Sequence, residues 1–450
     1  MGRLFGTDGI RGAANEYPLT PEAVFGVGRA VALFFGSSAN PTKILIGKDT
    51  RQSGDMIEDA LASGLCSVGA KACLAGILPT PAVAYLTSTT DAAAGIVISA
   101  SHNPYHDNGI KIFDADGYKL SDSKEDEIEA LLTENNLDHP GAESNHRPAK
   151  VETLEDAPDR YLAFLQNALP HAERFNGLKI VLDCSNGATY AVAPKLFQDL
   201  GARVEAINVS PDGKNINAGC GSEHPETLID KVLAEKADIG LAFDGDGDRL
   251  VAVDEKGHII SGDRTLAICA RSLKRKGLLK NNLVVSTVMS NLGLRLALKE
   301  LGINHMMSQV GDRYVLEQMI ANGAVIGGED SGHMIFLDQH TTGDGILTAI
   351  RLIQTMCDEH KPLSELRRVM AVFPQVLLNI DVLKKPPIED VPEIVAAIRS
   401  VEERLGEKGR VLVRYSGTQP LCRVMVEGPD KDETRRCCQQ IADVVKAALG

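Results

Sequence analysis

The chain has 450 residues, enough for about three domains, and its 44% hydrophobic and 24% charged residues are those of an ordinary soluble globular protein. A net charge of −14 argues against nucleic acid as a partner, and admits an anionic ligand only where local arginines and lysines override the overall field. No apolar run is long enough to span a bilayer, and nine cysteines without Cys-x-x-Cys spacing argue against a disulfide framework and for a cytoplasmic protein.

The opening Met1–Gly9 lacks the basic and apolar blocks of a signal peptide. Arg11, in Phe5-Gly6-Thr7-Asp8-Gly9-Ile10-Arg11-Gly12, is a candidate phosphate contact. A strand at Lys43–Gly47 leads to a helix ending Val68-Gly69-Ala70. Later in the same module Gly95–Ile98 reads as a strand running into Ser99-Ala100-Ser101-His102-Asn103-Pro104, and Asn108-Gly109-Ile110-Lys111 offers a second phosphate contact. The polar stretch Glu134 to Lys150 reads as a surface excursion. The module then recurs. Its second copy runs from Ile180–Asp183 through Leu200-Gly201-Ala202 to the Asp244–Arg249 loop, its third from Leu283–Thr287 through Leu301-Gly302-Ile303 to Gly327–His333. Alternating strands and helices imply α/β layers with largely parallel strands, whose ligands sit beyond the strands' carboxyl ends. From Phe373-Pro374 the pattern changes: Gly409–Arg414 and Cys422–Val426 read as strands around Tyr415–Leu421, and Lys431–Leu449 as a helix. The expected organisation is three topologically similar α/β domains, 1–157, 158–258 and 259–371, with mixed, largely parallel sheets, plus a smaller C-terminal α+β domain, 372–450, around a central cleft.

Asp244-Gly245-Asp246-Gly247-Asp248-Arg249 carries the strongest chemical signal. Apolar runs on both sides place it on a tight loop between two buried strands. Two carboxylates ~4 Å apart repel by about 4 kcal/mol at an effective dielectric near 20, so three converging aspartates require a cation. All-oxygen ligation selects Mg²⁺ before Ca²⁺. An EF-hand is excluded, because Arg249 stands where that loop needs glycine.

Ser101, at a strand tip, admits three readings: a turn serine, a hydrolase nucleophile, or a phosphorylated serine. The adjacent His102 is poorly placed as a hydrolase base, and the Gly-x-Ser-x-Gly elbow is absent. A phosphate on Ser101 would share the cation of Asp244, Asp246 and Asp248, which explains both loops at once. Arg414-Tyr415-Ser416-Gly417-Thr418 suits an anion-binding nest, and Glu329, Ser331 and His333 offer groups suited to sugar hydroxyls.

Together, and in this order, these loops resemble the α-D-phosphohexomutase superfamily along the whole chain. Phe5–Gly12, Asn215-Ile216-Asn217 with Cys220-Gly221-Ser222, and Thr341-Thr342-Gly343-Asp344-Gly345 look characteristic of its glucosamine-phosphate branch. The resemblance implies interconversion of glucosamine 6-phosphate and glucosamine 1-phosphate through a bisphosphorylated sugar. It matches Ser101 to the phosphoserine, the three aspartates to the Mg²⁺ ligands, and Arg249 to the arginine beside the metal loop. Glu329 and Ser331 match the residues that hold the sugar; Arg414, Ser416, Gly417 and Thr418 match those gripping the phosphate not being transferred. His333 is read as a sugar or phosphate contact. Lys111 and His102 both stand as general acid/base candidates. The chain departs from the family's usual residues at Asp330, Tyr415 and Gln419, and the extra carboxylate of Asp330 is expected to favour a cationic amino sugar. Alternatives are a phosphomannomutase or phosphoglucomutase, a Mg²⁺-dependent phosphatase, and a non-catalytic sugar-phosphate sensor. The sequence carries no signal for oligomeric state. The expected partner is a small sugar phosphate, with no nucleic acid and no membrane.

Overall fold

A computed structural model describes residues 4–6, 8–36, 41–134, 150–169, 175–416 and 420–450. Most of the excursion read at Glu134–Lys150 lies outside them. The chain divides into two compact units: Met1–Val288 with Met306–Arg367, and Met289–His305 with Arg368–Gly450.

Three mixed sheets organise the α/β part. The first runs, in spatial order, Ile10–Ala13, Asp107–Asp114, Ala94–Ile98, Lys43–Lys48, Lys71–Ile77, Val151–Thr153. The second runs Ile259–Ile260, Leu250–Asp254, Ile239–Phe243, Lys179–Asp183, Arg203–Ile207. The third runs Met334–Phe336, Ile326–Gly328, Leu283–Thr287, Asn304–Ser308. Each contains the same four-strand core: counted along the chain, the fourth strand lies beside the third, then the first, then the second. In every sheet the third strand is parallel to the first and antiparallel to the fourth. The threefold repeat expected from the sequence is therefore present in strand order and direction.

The central strands are largely apolar because both faces are covered; Ala94–Ile98, Ile239–Phe243 and Leu283–Thr287 are buried at every residue. Gly69, Gly201 and Gly302, expected at helix ends, all carry positive φ (88°, 91° and 62°), the left-handed turn that closes a helix without a Cβ clash. The consequence for function lies in the hairpins. In each sheet the link from third to fourth strand is one of the three polar loops: Ser99–His106, Asp244–Arg249 and Glu329–His333.

The second unit holds an antiparallel sheet ordered Gln375–Asp381, Leu421–Glu427, Arg410–Tyr415. Helices Pro392–Leu405 and Lys431–Leu449 bury Ile394, Val401, Ile441 and Val445 against Val424 and Val426. Cys437 and Cys438 are core residues there, and all nine cysteines are free thiols. Among the described residues no helix is long and apolar enough to cross a membrane.

Candidate active site

Ser101 is 1% exposed and has φ +52°, an uncommon conformation for a residue with a Cβ. Its surroundings impose that shape. Ser99 Oγ accepts the Ser101 N–H at 2.9 Å and donates to Asp49 at 2.5 Å. The wholly buried Arg51 donates to the carbonyls of Ser101 (2.9 Å), Asn103 (2.8 Å), Asp107 (2.9 Å) and Pro104, while its Nε and N–H are held by Asp49. Asn217, from the second sheet's domain, donates to the same Ser101 and Asn103 carbonyls at 2.9 and 3.1 Å. Sequence reasoning did not single out Arg51 or Asn217 as site residues. Asn217 stands in the Asn215-Ile216-Asn217 stretch that carried the resemblance, but that it and Arg51 bond backbone carbonyls far away in the chain shows only in three dimensions.

The Ser101 hydroxyl donates to Asp244 Oδ2 at 2.6 Å, joining the first domain's loop to the second's. Ligand atoms of Asp244, Asp246 and Asp248 lie within 4.8 Å of one another, and all three side chains are buried. Gly245 is needed at this junction, since a Cβ there would sit 2.6 Å from the Ser101 carbonyl oxygen. Each aspartate is oriented. Asp244 Oδ1 accepts the Arg249 N–H (3.1 Å); Asp246 Oδ2 accepts Thr80 Oγ1 (2.6 Å) and Lys111 Nζ (2.9 Å); Asp248 Oδ2 faces Lys111 (3.4 Å) and His333 (3.6 Å). Asp246 Oδ1 and Asp248 Oδ1 are buried with no hydrogen-bond partner. Two orphaned carboxylate oxygens in an all-oxygen cluster fit a small hard cation, and Mg²⁺ suits them by its ligand preference. Burial first, then the Asp248 and Asp246 charges, raises the Asp244 pKa well above the carboxylate range. Burial pushes Asp248 the same way, but Lys111 and His333 outweigh it and hold its pKa well below that range.

The hairpins of the second and third sheets are joined as well: Arg249 bridges His333, and the Leu250 N–H donates to the Gly332 carbonyl at 3.1 Å. Beside them lies a cavity of about 440 Å³ lined by Asp8, Arg11, Asp248, Arg249, Asp312, Glu329 and His333 among others. Glu329 is fixed by the Gly311 N–H on Oε1 (3.0 Å), and Ser331 Oγ is buried without a partner. His333 lies between Asp248 and Asp312, 3.6 and 3.5 Å away. Burial opposes its protonation, but the two carboxylates outweigh it and raise its pKa. The Gly343 N–H donates to Nε2 at 3.2 Å. Arg11 pairs with Asp8. His102 Nδ1 stands 3.4 Å from Ser101 Oγ, its pKa lowered by burial and then by Arg249. Lys111 is 2% exposed, not a surface charge.

Asp330 is exposed, and its Oδ1 takes the Asp263 N–H (3.1 Å) at the start of helix Gly262–Arg275, a structural duty that explains an acidic residue there without reference to the sugar. In the second unit, Arg414 ends on the strand Arg410–Tyr415, and the buried Ser416 accepts Lys385 Nζ on its carbonyl (2.8 Å). Tyr415 gives its hydroxyl to the Pro386 carbonyl (2.6 Å), a packing role for a residue that departs from the family's usual choice. Gly417, Thr418 and Gln419 lie outside the described residues. A larger cavity of about 640 Å³, lined by Cys269, Phe336 and Arg351 among others, contains none of the candidate residues.

Comparison with known proteins agrees along the full length. Family profiles described as phosphoglucomutase/phosphomannomutase match in order: alpha/beta/alpha domain I at residues 2–139, domain II at 159–257, domain III at 261–373 and the C-terminal domain at 377–444. Curated relatives named phosphoglucosamine mutase include those of Syntrophus aciditrophicus (58% identical) and Syntrophobacter fumaroxidans (56% identical), each aligned over 100% of both chains. A phosphoglucomutase/phosphomannomutase family protein from Burkholderia thailandensis superposes with a TM-score of 0.82 at 24% identity, covering 99% of this chain and 97% of its own. Aspergillus fumigatus N-acetylphosphoglucosamine mutase, solved with GlcNAc-6P and magnesium, gives 0.70 at 17% identity over 99% and 96%. These two likenesses speak for the fold, while the matched domains and full-length relatives establish that the chain belongs to the phosphoglucomutase/phosphomannomutase family.

Proposed function

We propose that this protein is a phosphoglucosamine mutase, interconverting glucosamine 6-phosphate and glucosamine 1-phosphate through a phosphorylated Ser101. The observation that carries the chemistry is the 2.6 Å contact between Ser101 Oγ and Asp244, made across two domains at the edge of a buried aspartate triad. The amino-sugar substrate is supported by the names of relatives aligned over the whole chain at 48–58% identity.

Asp244, Asp246 and Asp248 would hold a Mg²⁺ ion, which when bound neutralises charge on the phosphoryl group in flight. Ser101 carries that group. A sugar hydroxyl attacks phosphorus; the P–O bond to Ser101 breaks, a P–O bond to the sugar forms, the hydroxyl proton passes to a base, and the serine oxygen regains a proton. Arg249, anchored by its own backbone on Asp244, meets the transferring oxygens. Lys111 and His102 are the two groups that can move the proton. Glu329, Ser331 and His333 orient the sugar, and Arg11 contacts phosphate. Arg414, Ser416, Gly417 and Thr418 grip the second phosphate. The bisphosphorylated sugar turns end for end and returns its other phosphate to Ser101. The setting is the cytoplasm, consistent with nine free thiols.

The test is intact mass with peptide mapping after incubation with glucosamine 1,6-bisphosphate, coupled to mutase assays on glucosamine, glucose and mannose phosphates. One added phosphate on Ser101 and preference for glucosamine phosphate are expected. Stoichiometric release of free phosphate would instead identify a phosphatase.

A further inference from the structure

The turn Thr341–Gly345 lies against two of the site's hairpins, although none of its residues has a part in the proposed reaction. Gly345 opens helix Gly345–Glu359, so its N–H is one of the donors that a helix start leaves without an internal partner. It donates instead to the Gly247 carbonyl of the metal loop at 3.0 Å. The helix start fits inside the bend of that loop: a Cβ on Gly345 would overlap the Arg249 carbonyl oxygen and stand 3.0 Å from that of Gly247. Both are backbone atoms, which cannot swing aside. Gly343 donates its N–H to His333 Nε2 in the neighbouring hairpin. The turn is itself held. Asp344 caps the helix, its Oδ1 accepting the Leu347 N–H at 2.9 Å, and the buried Tyr161 donates its hydroxyl to Oδ2 at 2.9 Å. Thr341 Oγ1 donates to the Gly117 carbonyl (2.5 Å) and His340 Nε2–H to that of Pro81 (2.9 Å). Pro81 follows Thr80, whose hydroxyl donates to the Asp246 carboxylate at 2.6 Å and whose N–H donates to the Asp246 carbonyl at 2.9 Å.

We infer that Asp344 and Gly345 are positioning residues for the metal loop, acting through the peptide that leads into Asp248. The Gly247 carbonyl and the Asp248 N–H belong to one planar unit, so a bond that fixes the oxygen fixes the plane from which Asp248 starts. Gly247, at φ +71°, has the wide backbone freedom of glycine and does not impose that plane by itself. Thr80 holds Asp246 before this peptide, and Asp244 Oδ1 holds the Arg249 N–H after it at 3.1 Å. The Gly345 bond reaches the peptide between them. Asp248 Oδ1, buried without a hydrogen-bond partner, is the atom whose direction depends on it. Thr80 and Pro81 belong to the first domain and Gly345 to the third, and the His340 bond ties the two supports together, so Asp246 and Asp248 are aligned by one frame. Groups that orient a metal ligand commonly matter about 10–100-fold for affinity or activity.

This inference rests on the aspartate triad being the Mg²⁺ site. Gly345→Ala drives a methyl group into the Arg249 carbonyl, and Asp344→Ala removes the helix cap. In both, the Mg²⁺ concentration giving half of the metal-induced rise in thermal midpoint should increase about tenfold or more. No substrate is needed for that measurement, so it stands whichever sugar phosphate is turned over. Asp344→Asn should stay within about threefold of wild type, because asparagine caps a helix as well and the Tyr161 hydroxyl can accept as readily as donate. Ile353→Ala, at a buried position about 12 Å along the same helix, should lower the midpoint but leave half-saturation within about twofold. In turnover at saturating Mg²⁺, kcat of Gly345→Ala should fall on the order of 10–100-fold with KM changed less than about threefold. Should Gly345→Ala yield no folded protein, the contrast between Asp344→Ala and Asp344→Asn carries the same decision. A wild type with no Mg²⁺-dependent rise overturns the metal reading and the inference with it. Where wild type does respond, the inference alone is overturned by unchanged half-saturation in Gly345→Ala and Asp344→Ala. Equal shifts in Asp344→Asn or Ile353→Ala, or a kinetic loss confined to KM, overturn it too.

Discussion

Asp244→Asn puts the electrostatics of the site to a direct test. The triad's ligand atoms lie within 4.8 Å of one another, and two unit charges at that distance repel by about 3.5 kcal/mol at an effective dielectric near 20. Asp244 faces two such neighbours, but protonation caps the penalty. Burial and those neighbours raise its pKa well above the ordinary value of 3.8, so at pH 7 the metal-free protein can escape by taking up a proton. From 3.8 to 7 that costs at most about 4 kcal/mol, at 1.36 kcal/mol per unit. A raised carboxylate pKa means stability that is present at low pH and lost as pH rises, so the penalty vanishes near pH 4. Asparagine keeps the size, can accept the Arg249 N–H and can donate to Ser101, but carries no charge. In EDTA at pH 7 the unphosphorylated variant should therefore be more stable than wild type by about 1–4 kcal/mol. In saturating Mg²⁺ the order should reverse, because only wild type gains binding free energy, about 2.7 kcal/mol at a hundred times Kd. Differential scanning fluorimetry at pH 4.5 and 7, with EDTA or Mg²⁺, reads all of this. A variant less stable than wild type in EDTA, or one with an intact Mg²⁺ shift, refutes the reasoning.

Ser101→Ala should abolish mutase turnover and phosphate uptake while leaving Mg²⁺ stabilisation in place; near-normal rates would remove the phosphoserine from the mechanism. Asn217→Gly suits the positive φ of that position (58°) but deletes two hydrogen bonds to the Ser101 loop. Since Arg51 still serves both carbonyls, the loss should be about 1–2 kcal/mol in stability, and kcat should fall about tenfold in the coupled assay. His340 is buried, its Nε2–H donating to the Pro81 carbonyl (2.9 Å) and its Nδ1 accepting the Thr341 N–H (2.8 Å). Burial lowers its pKa to about 4 from 6.5, so the unfolded chain binds the proton first, and this stability is lost as pH falls from about 6.5 towards 4. Between pH 7.5 and 5 wild type should lose about 2 kcal/mol more than His340→Gln, seen as a difference of a few degrees in thermal midpoint at matched scan rate. Equal losses would show that His340 is not the group responsible.

The repeat, the hairpin loops and the acidic triad were legible because each is encoded locally. Apolar runs that must be covered on both faces, glycines at helix ends, and three aspartates spaced by glycine keep their meaning wherever the domains end up. The sequence also held Ser101 and the aspartates as one site, since carboxylates that repel imply a cation and a phosphate needs one. Other features became visible only on folding. Arg51 and Asn217 serve the active-site loop through backbone carbonyls, which carry no sequence signature. The bond that Asp330 accepts from the Asp263 N–H at a helix start joins positions 67 residues apart. Lys119 meets Asp8 across 111 residues and Asp312 across 193, and such charge–charge attraction depends on where separate domains bring the side chains, which no local pattern specifies.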